Sequence, residues 1–176
     1  MTKKQHGSLH NSMLISMPQL EDEPFHRSLI YICEHNEQGA MGLIINHETE
    51  VAFADILPQL NIEEEQATHL AQPIFTGGPV KPEHGFVLHT PLADKQWQSS
   101  IQVGADLCLT TSIDVIDDIA HDTGPEHSLI ALGTLAGAQA NWKTKLPIML
   151  GFAAHLTLTL CSTHRPTSAL TQPRVC

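Results

Sequence analysis

Basic residues and paired cysteines are what this sequence lacks most. Lys and Arg total 9 against 19 Asp and Glu, a net charge of −10 with His neutral. A surface that tracks nucleic-acid phosphates needs the opposite balance. The four cysteines, Cys33, Cys108, Cys161 and Cys176, include no C-x-x-C pair, which argues against a disulfide scaffold and a zinc knuckle. No apolar run reaches the roughly 18–20 residues that cross a bilayer. Leu146 to Cys161 spans 16 residues and is broken by Pro147, Gly151, His155, Thr157 and Thr159. Met1-Thr2-Lys3-Lys4 leads into His-Gly-Ser, so no secretory leader is expected. What remains is a reduced, cytoplasmic, single domain without a membrane segment. With 41% apolar and 16% charged residues it can bury a core and is not compositionally disordered.

The acids are also missing from one region. All 19 lie at or before Glu126. Residues 1–133 carry five bases (Lys3, Lys4, Arg27, Lys81, Lys95) and a net −14, whereas residues 134–176 carry four bases, no acid and a net +4. Such a tail reads as a thin basic arm, as a short membrane anchor, or as translation from a different reading frame than the body.

The body alternates strand and helix signals. Met13-Leu14-Ile15, Leu29 to Cys33 and Met41 to Ile45 are short runs of β-formers, punctuated by Pro18 and by Asn36-Glu37-Gln38-Gly39. Phe53, Ile56, Leu57 and Leu60 fall on one helix face, with Pro58 kinking or ending the helix. Phe75, Phe86 to His89, Ser99 to Val103 and Leu107 to Leu109 predict further strands around the Gly77-Gly78-Pro79 turn. Ser112 is placed to cap a helix whose buried stripe is Ile113, Ile116, Ile119 and Ala120. Leu129 to Leu132 closes the body as another strand.

Chemistry-bearing groups are scattered. Cys33 and His35, two apart on one strand, are expected on the same face, as a thiol–base pair or the start of a metal site with His84 and His89. The plainer reading is a half-buried thiol beside a surface imidazole. Gly39-x-x-Gly42 and Gly77-Gly78 could cradle a phosphate, yet neither matches a nucleotide-binding motif, and turn geometry explains both. Ser99, Ser100, Thr110, Thr111 and Ser112 lack a nucleophile elbow. The candidate ligand-binding set is therefore Cys33, His35, Asn36, Gly77, Gly78 and His89, with no catalytic residue, metal or cofactor assigned.

Several stretches together resemble the YqgE/AlgH family of small bacterial proteins. They are Leu14 to Pro18, Arg27 to Asn36, Gly39 to Asn46, Gly77 to Val80, Gly85 to His89, Leu109 to Ser112 with Asp114, and Ala131 to Gly133. His47 and His84 stand where an Arg is common in that family. The resemblance implies an α/β single domain whose mixed, mostly antiparallel sheet curls into a barrel flanked by helices. It implies a cytoplasmic bacterial protein, sometimes labelled a transcriptional regulator, and carries no reaction or catalytic residues.

The resemblance ends after Gly133, where the family continues Tyr-Ala-Gly-Trp. Restoring one nucleotide there lets Thr134-Leu135-Ala136-Gly137 encode those four residues, and Trp142 and Lys143 then force Leu and Glu, which the family also shows. The expectation is a domain over residues 1–133 and an out-of-frame tail of low order over 134–176. Two function classes follow. One is a regulatory or interaction protein that meets an unidentified protein partner without touching DNA. The other is a small-molecule-binding enzyme with a cleft near Cys33, His35 and Gly77-Gly78.

Overall fold

The computed structural model describes residues 8–16, 25–63, 70–138 and the backbone of 151–154. In chain order the elements are β1 (Ser12–Ile15), β2 (Leu29–Asn36), β3 (Gly39–Ile44), β4 (Glu48–Ala52), α1 (Phe53–Ile56), a 3-10 turn (Pro58–Leu60) and β5 (Pro73–Thr76). They continue with β6 (Val80–His89), β7 (Ser100–Gly104), β8 (Leu107–Thr110), α2 (Ile113–Ala120), β9 (Ser128–Ala138) and β10 (Gly151–Ala154). The strands join in the order β10-β1-β2-β3-β9-β6-β8-β7, with β5 pairing β9 and β4 pairing β5. Among the described residues every strand pairing is antiparallel except β5 with β9.

The sheet is a curled half-barrel. β2 and β7 are five places apart in strand order, yet the Tyr31 hydroxyl lies within hydrogen-bond distance of both the Val103 carbonyl, at 3.1 Å, and Asn11 Oδ1, at 2.7 Å. Alternation along each strand sorts side chains between inside and outside. Met13, Tyr31, Cys33, Leu43, Phe86, Leu88, Val103, Leu109 and Ala131 fill the concave interior. On one outer face Val87, Ile74 and Ile130 pack under the helical segments through Phe53, Leu57, Val115, Ile116 and Ile119. Leu14, Ile30, Ile32, Ala40, Ile44 and Leu135 form a separate cluster over β1, β2, β3 and β9.

Pro58 does end the first helix, since its ring cannot continue the helical hydrogen bonding. α1 stops at Ile56 and the chain tightens into the 3-10 turn. Two local expectations for α2 are corrected. Ile113 is 55% exposed, and Val115 takes its place beside Ile116, Ile119 and Ala120. At 100° per residue, Ile113 stands roughly 160° around the axis from Val115. The Ser112 hydroxyl does not cap the helix. It donates to the Gln98 carbonyl at 2.5 Å and bonds the Asp114 carboxylate, while Asp114 Oδ1 accepts from the Val115 amide at 3.0 Å.

β9 is the hub. Its first half lies between β5 and β6, and residues 135–138 pair with β3. Gly133, at φ 74°, turns the strand between those partners. The domain boundary drawn at Gly133 therefore falls inside a strand, with Thr134 and Leu135 buried. Residues 151–154 add β10 to the edge of β1. The rest of the tail lies outside the described residues.

Candidate functional site

Cys33 and His35 are separated by a β-bulge. The register of β2 on β3 shifts between Ile32 and Glu34, so that Glu34 faces Met41 and His35 faces Ala40. Directly paired residues share a face, so His35 joins the Ile32 and Ala40 side while Cys33 stays with Tyr31 inside the half-barrel. The expected shared face is thus corrected, because the extra residue of a bulge inverts the alternation beyond it. Cys33 is 1% exposed. Burial pushes its thiol up to about 12, which keeps it a protonated apolar filler. Burial, with Cys33 beside it, also raises the Tyr31 phenol.

The other members of the ligand-binding set are each absorbed into the scaffold. His35 Nδ1 accepts the Leu9 amide at 2.9 Å. Asn36 builds the hairpin, its Oδ1 accepting from the Gln38 and Gly39 amides at 2.8 and 3.2 Å. The Gly77 amide is spent on the Leu132 carbonyl at 2.8 Å, and its carbonyl accepts the Ile44 amide at 2.9 Å. A Cβ at Gly77 would collide with the Gly133 carbonyl, and one at Gly78 with the Thr134 backbone. The Gly77-Gly78 pair therefore exists to let two backbones cross, and it leaves the Gly77 amide no freedom to cradle a phosphate. His84 is exposed beside Glu83 at 3.2 Å.

His89 is 2% exposed. Its Nδ1 meets the Thr90 carbonyl at 2.8 Å and its Nε2 meets Thr110 Oγ1 at 2.7 Å, with the Trp97 ring edge-on at 4.8 Å. Burial lowers its pKa, and the hydrogen bond to Thr90 offsets only part of that. Trp97 donates to Asp118 Oδ2 at 2.5 Å, and Lys95 reaches Asp118 Oδ1 at 2.5 Å. For Asp118, burial opposes ionisation, but the hydrogen bonds from Lys95, Trp97 and Thr123 outweigh it and the pKa falls. This chain from His89 through Trp97 to Asp118 ties the 91–98 loop to α2.

The structure also brings together a polar group that spacing could not reveal. Ser28 Oγ lies 3.4 Å from His47 Nε2, and the Ser28 amide donates to Ser16 Oγ at 2.6 Å. Asn46 clamps the entry to β2, accepting the Leu29 amide at 2.7 Å and donating to the Arg27 carbonyl at 2.8 Å. Arg27 is held there at φ 49°. Ser28 and His47 are 19 residues apart and meet only through β2–β3 pairing. The one local signal is a polar residue at the end of each strand.

Among the described residues, no group of three His, Cys, Asp or Glu side chains could hold a metal ion. No described helix is long and apolar enough to cross a membrane. The interior of the half-barrel is open at its rim. Ile15 pairs with Leu29 and Ile101 with Leu109, both partners facing the interior cluster, yet Ile15 is 49% and Ile101 48% exposed.

A curled, mostly antiparallel half-barrel with two short helices is the architecture of AlgH-like proteins. The AlgH-like family profile matches residues 13–143. A UPF0301 protein of Hahella chejuensis is 46% identical over 127 residues, covering 72% of this chain and 66% of that relative. One of Legionella pneumophila is 45% identical over 130 residues, covering 74% of this chain and 68% of its own. The solution structure of the AlgH protein of Pseudomonas aeruginosa superposes with a TM-score of 0.68 at 38% identity, over 84% of this chain and 77% of that one. A Corynebacterium diphtheriae protein at 17% identity shares the fold, with a TM-score of 0.66 over 87% of this chain and 78% of its own. The chain belongs to the AlgH-like family.

Proposed function

We propose that this chain is a cytoplasmic regulatory protein that works by docking a basic protein partner on the open rim of its half-barrel. The observation that carries the reading is the pair Ile15 and Ile101, apolar side chains on the interior-facing side of the sheet that are nevertheless about half exposed. An apolar contact centre of this kind is what a protein interface buries. The charge supplies the rest. With −14 over residues 1–133, the body repels nucleic acid and steers a positively charged partner toward itself.

The alternative reading, a small-molecule-binding enzyme, places its cleft near Cys33, His35, Gly77 and Gly78. Cys33 and His35 lie on opposite faces, Gly77 and Gly78 are committed to a backbone crossing, and His89 is sealed against Thr110 and Trp97. The test is affinity capture from a bacterial extract with quantitative mass spectrometry, comparing wild type with the Ile15→Glu, Ile101→Glu double variant. A basic protein retained by wild type and lost by the variant, at unchanged circular dichroism, is the expected result. Equal retention by both proteins overturns the reading.

A further inference from the structure

We propose that His35 is a pH-sensitive clasp, holding the segment that begins at Ser8 against β2 only while its imidazole is neutral. The geometry is specific. His35 Nδ1 accepts the Leu9 amide at 2.9 Å, so the neutral ring carries its proton on Nε2. A second proton can go only to Nδ1. It turns the acceptor into a donor facing another donor, and the bond is lost.

The remaining contacts define what would move. Asn11 is anchored by its amide on the Ile32 carbonyl at 2.9 Å and by Tyr31 Oη on its side chain at 2.7 Å. It sits at φ 57°, a left-handed turn, and is the natural pivot. Upstream of it, Ser8 Oγ donates to the His35 carbonyl at 3.0 Å and accepts the His10 amide at 3.2 Å, but both Ser8 and His10 are exposed. The apolar contribution is Leu9, half-buried against the cluster that includes Ile32 and Ala40. Protonation of one ring therefore removes the part-buried bond to the Leu9 amide and leaves the segment to the Leu9 side chain and the exposed Ser8 contact.

Charged side chains near the ring are few among the described residues. On the hairpin itself Glu34 and Glu37 are exposed. Glu34 lies on the opposite face and accepts from Asn36 Nδ2 at 2.7 Å. The strand partner of His35 is Ala40, and the residue paired with Ala40 on β9 is Gly137, neither of which titrates. The clasped segment contributes only His10. Among the described residues, then, no carboxylate faces the ring on its own side of the sheet. Release on acidification uncovers the Ile32 and Ala40 side of β2 and β3.

The test is amide hydrogen exchange on the full chain, read at Leu9 as a protection factor so that the intrinsic pH dependence cancels. Between about pH 7.5 and about pH 5.5, wild type is expected to lose about tenfold in protection, the scale of one net hydrogen bond. His35→Asn presents a carbonyl acceptor that does not titrate and should hold the same protection at both pH values. His35→Ala should be low at both. Any general loosening of the fold in acid would strike His35→Asn equally, so parallel losses in wild type and His35→Asn overturn the proposal. So does an unchanged wild type, or a His35→Ala protein that keeps wild-type protection. Ring nitrogen NMR shifts of wild-type His35 provide an independent reading. At about pH 7.5 an unprotonated Nδ1 is expected, and a protonated Nδ1 refutes the clasp whatever the variants do.

Discussion

Replacing Gly133 by Ala tests the crossing that holds β5, β6 and β9 together. Gly133 has φ 74°, and a Cβ there would run into the Gly78 carbonyl and press on Pro82 Cα. The left-handed conformation alone costs roughly 1–2 kcal/mol for a residue with a side chain. Because the colliding atoms are backbone, relief requires the Gly77-Gly78 segment to back away. That motion strains the Gly77 bonds to Leu132 and Ile44, 2.8 and 2.9 Å long, each worth about 0.5–1.5 kcal/mol net. The sum is a loss of about 3 kcal/mol, large against the whole stability of a domain of this size. Urea unfolding followed by far-ultraviolet circular dichroism measures it. Gly85→Ala is the matched control, since a Cβ at Gly85 meets nothing within 4 Å. If Gly133→Ala is as mild as Gly85→Ala, the crossing is not the constraint described.

Acid should destabilise the fold in two stages. His89 has a lowered pKa in the folded state, so the unfolded chain binds its proton first and stability falls as pH drops below the ordinary histidine value of about 6.5. Asp118 is also lowered. Its contribution is present above the ordinary carboxylate value of about 4 and is lost as pH falls through the folded one. Melting temperatures against pH should show the first stage flattened in His89→Gln and the second in Asp118→Asn, and unchanged profiles would contradict both assignments. Native-state maleimide labelling with peptide mapping should modify Cys108, half-buried, well before Cys33. Labelling of Cys33 at the same rate would place its thiol in solvent. We also propose that residues 134–176 are read one base out of register, and sequencing the gene decides this. Codons that yield Tyr-Ala-Gly-Trp one base earlier support the slip, and codons that cannot do so refute it.

The fold was legible where physics is local. Short runs of β-forming residues placed the cores of β2, β3, β8 and β9, and Pro58 marked the end of α1. What escaped depended on partners distant in sequence. Nothing in Ile32-Cys33-Glu34-His35 announces a bulge, because the extra residue is defined only against Gly42 and Met41 across the ladder. That one residue decided whether Cys33 and His35 could act together. Gly77 and Gly78 were legible as small and turn-forming, but the reason they must be small is the β9 backbone, more than fifty residues away. His89 shows the same limit. As a histidine in an apolar run it is ambiguous, and only Thr110, Thr90 and Trp97 make it a satisfied core residue.

Docking on the open rim can be mapped directly with a photo-crosslinking amino acid placed singly at positions 15, 101 and 85 of the intact chain, followed by irradiation in cells. Positions 15 and 101 should yield the same protein adduct, of basic isoelectric point, while exposed position 85 on β6 yields none. Adducts of equal yield at all three positions, or none at 15 and 101, would contradict the account.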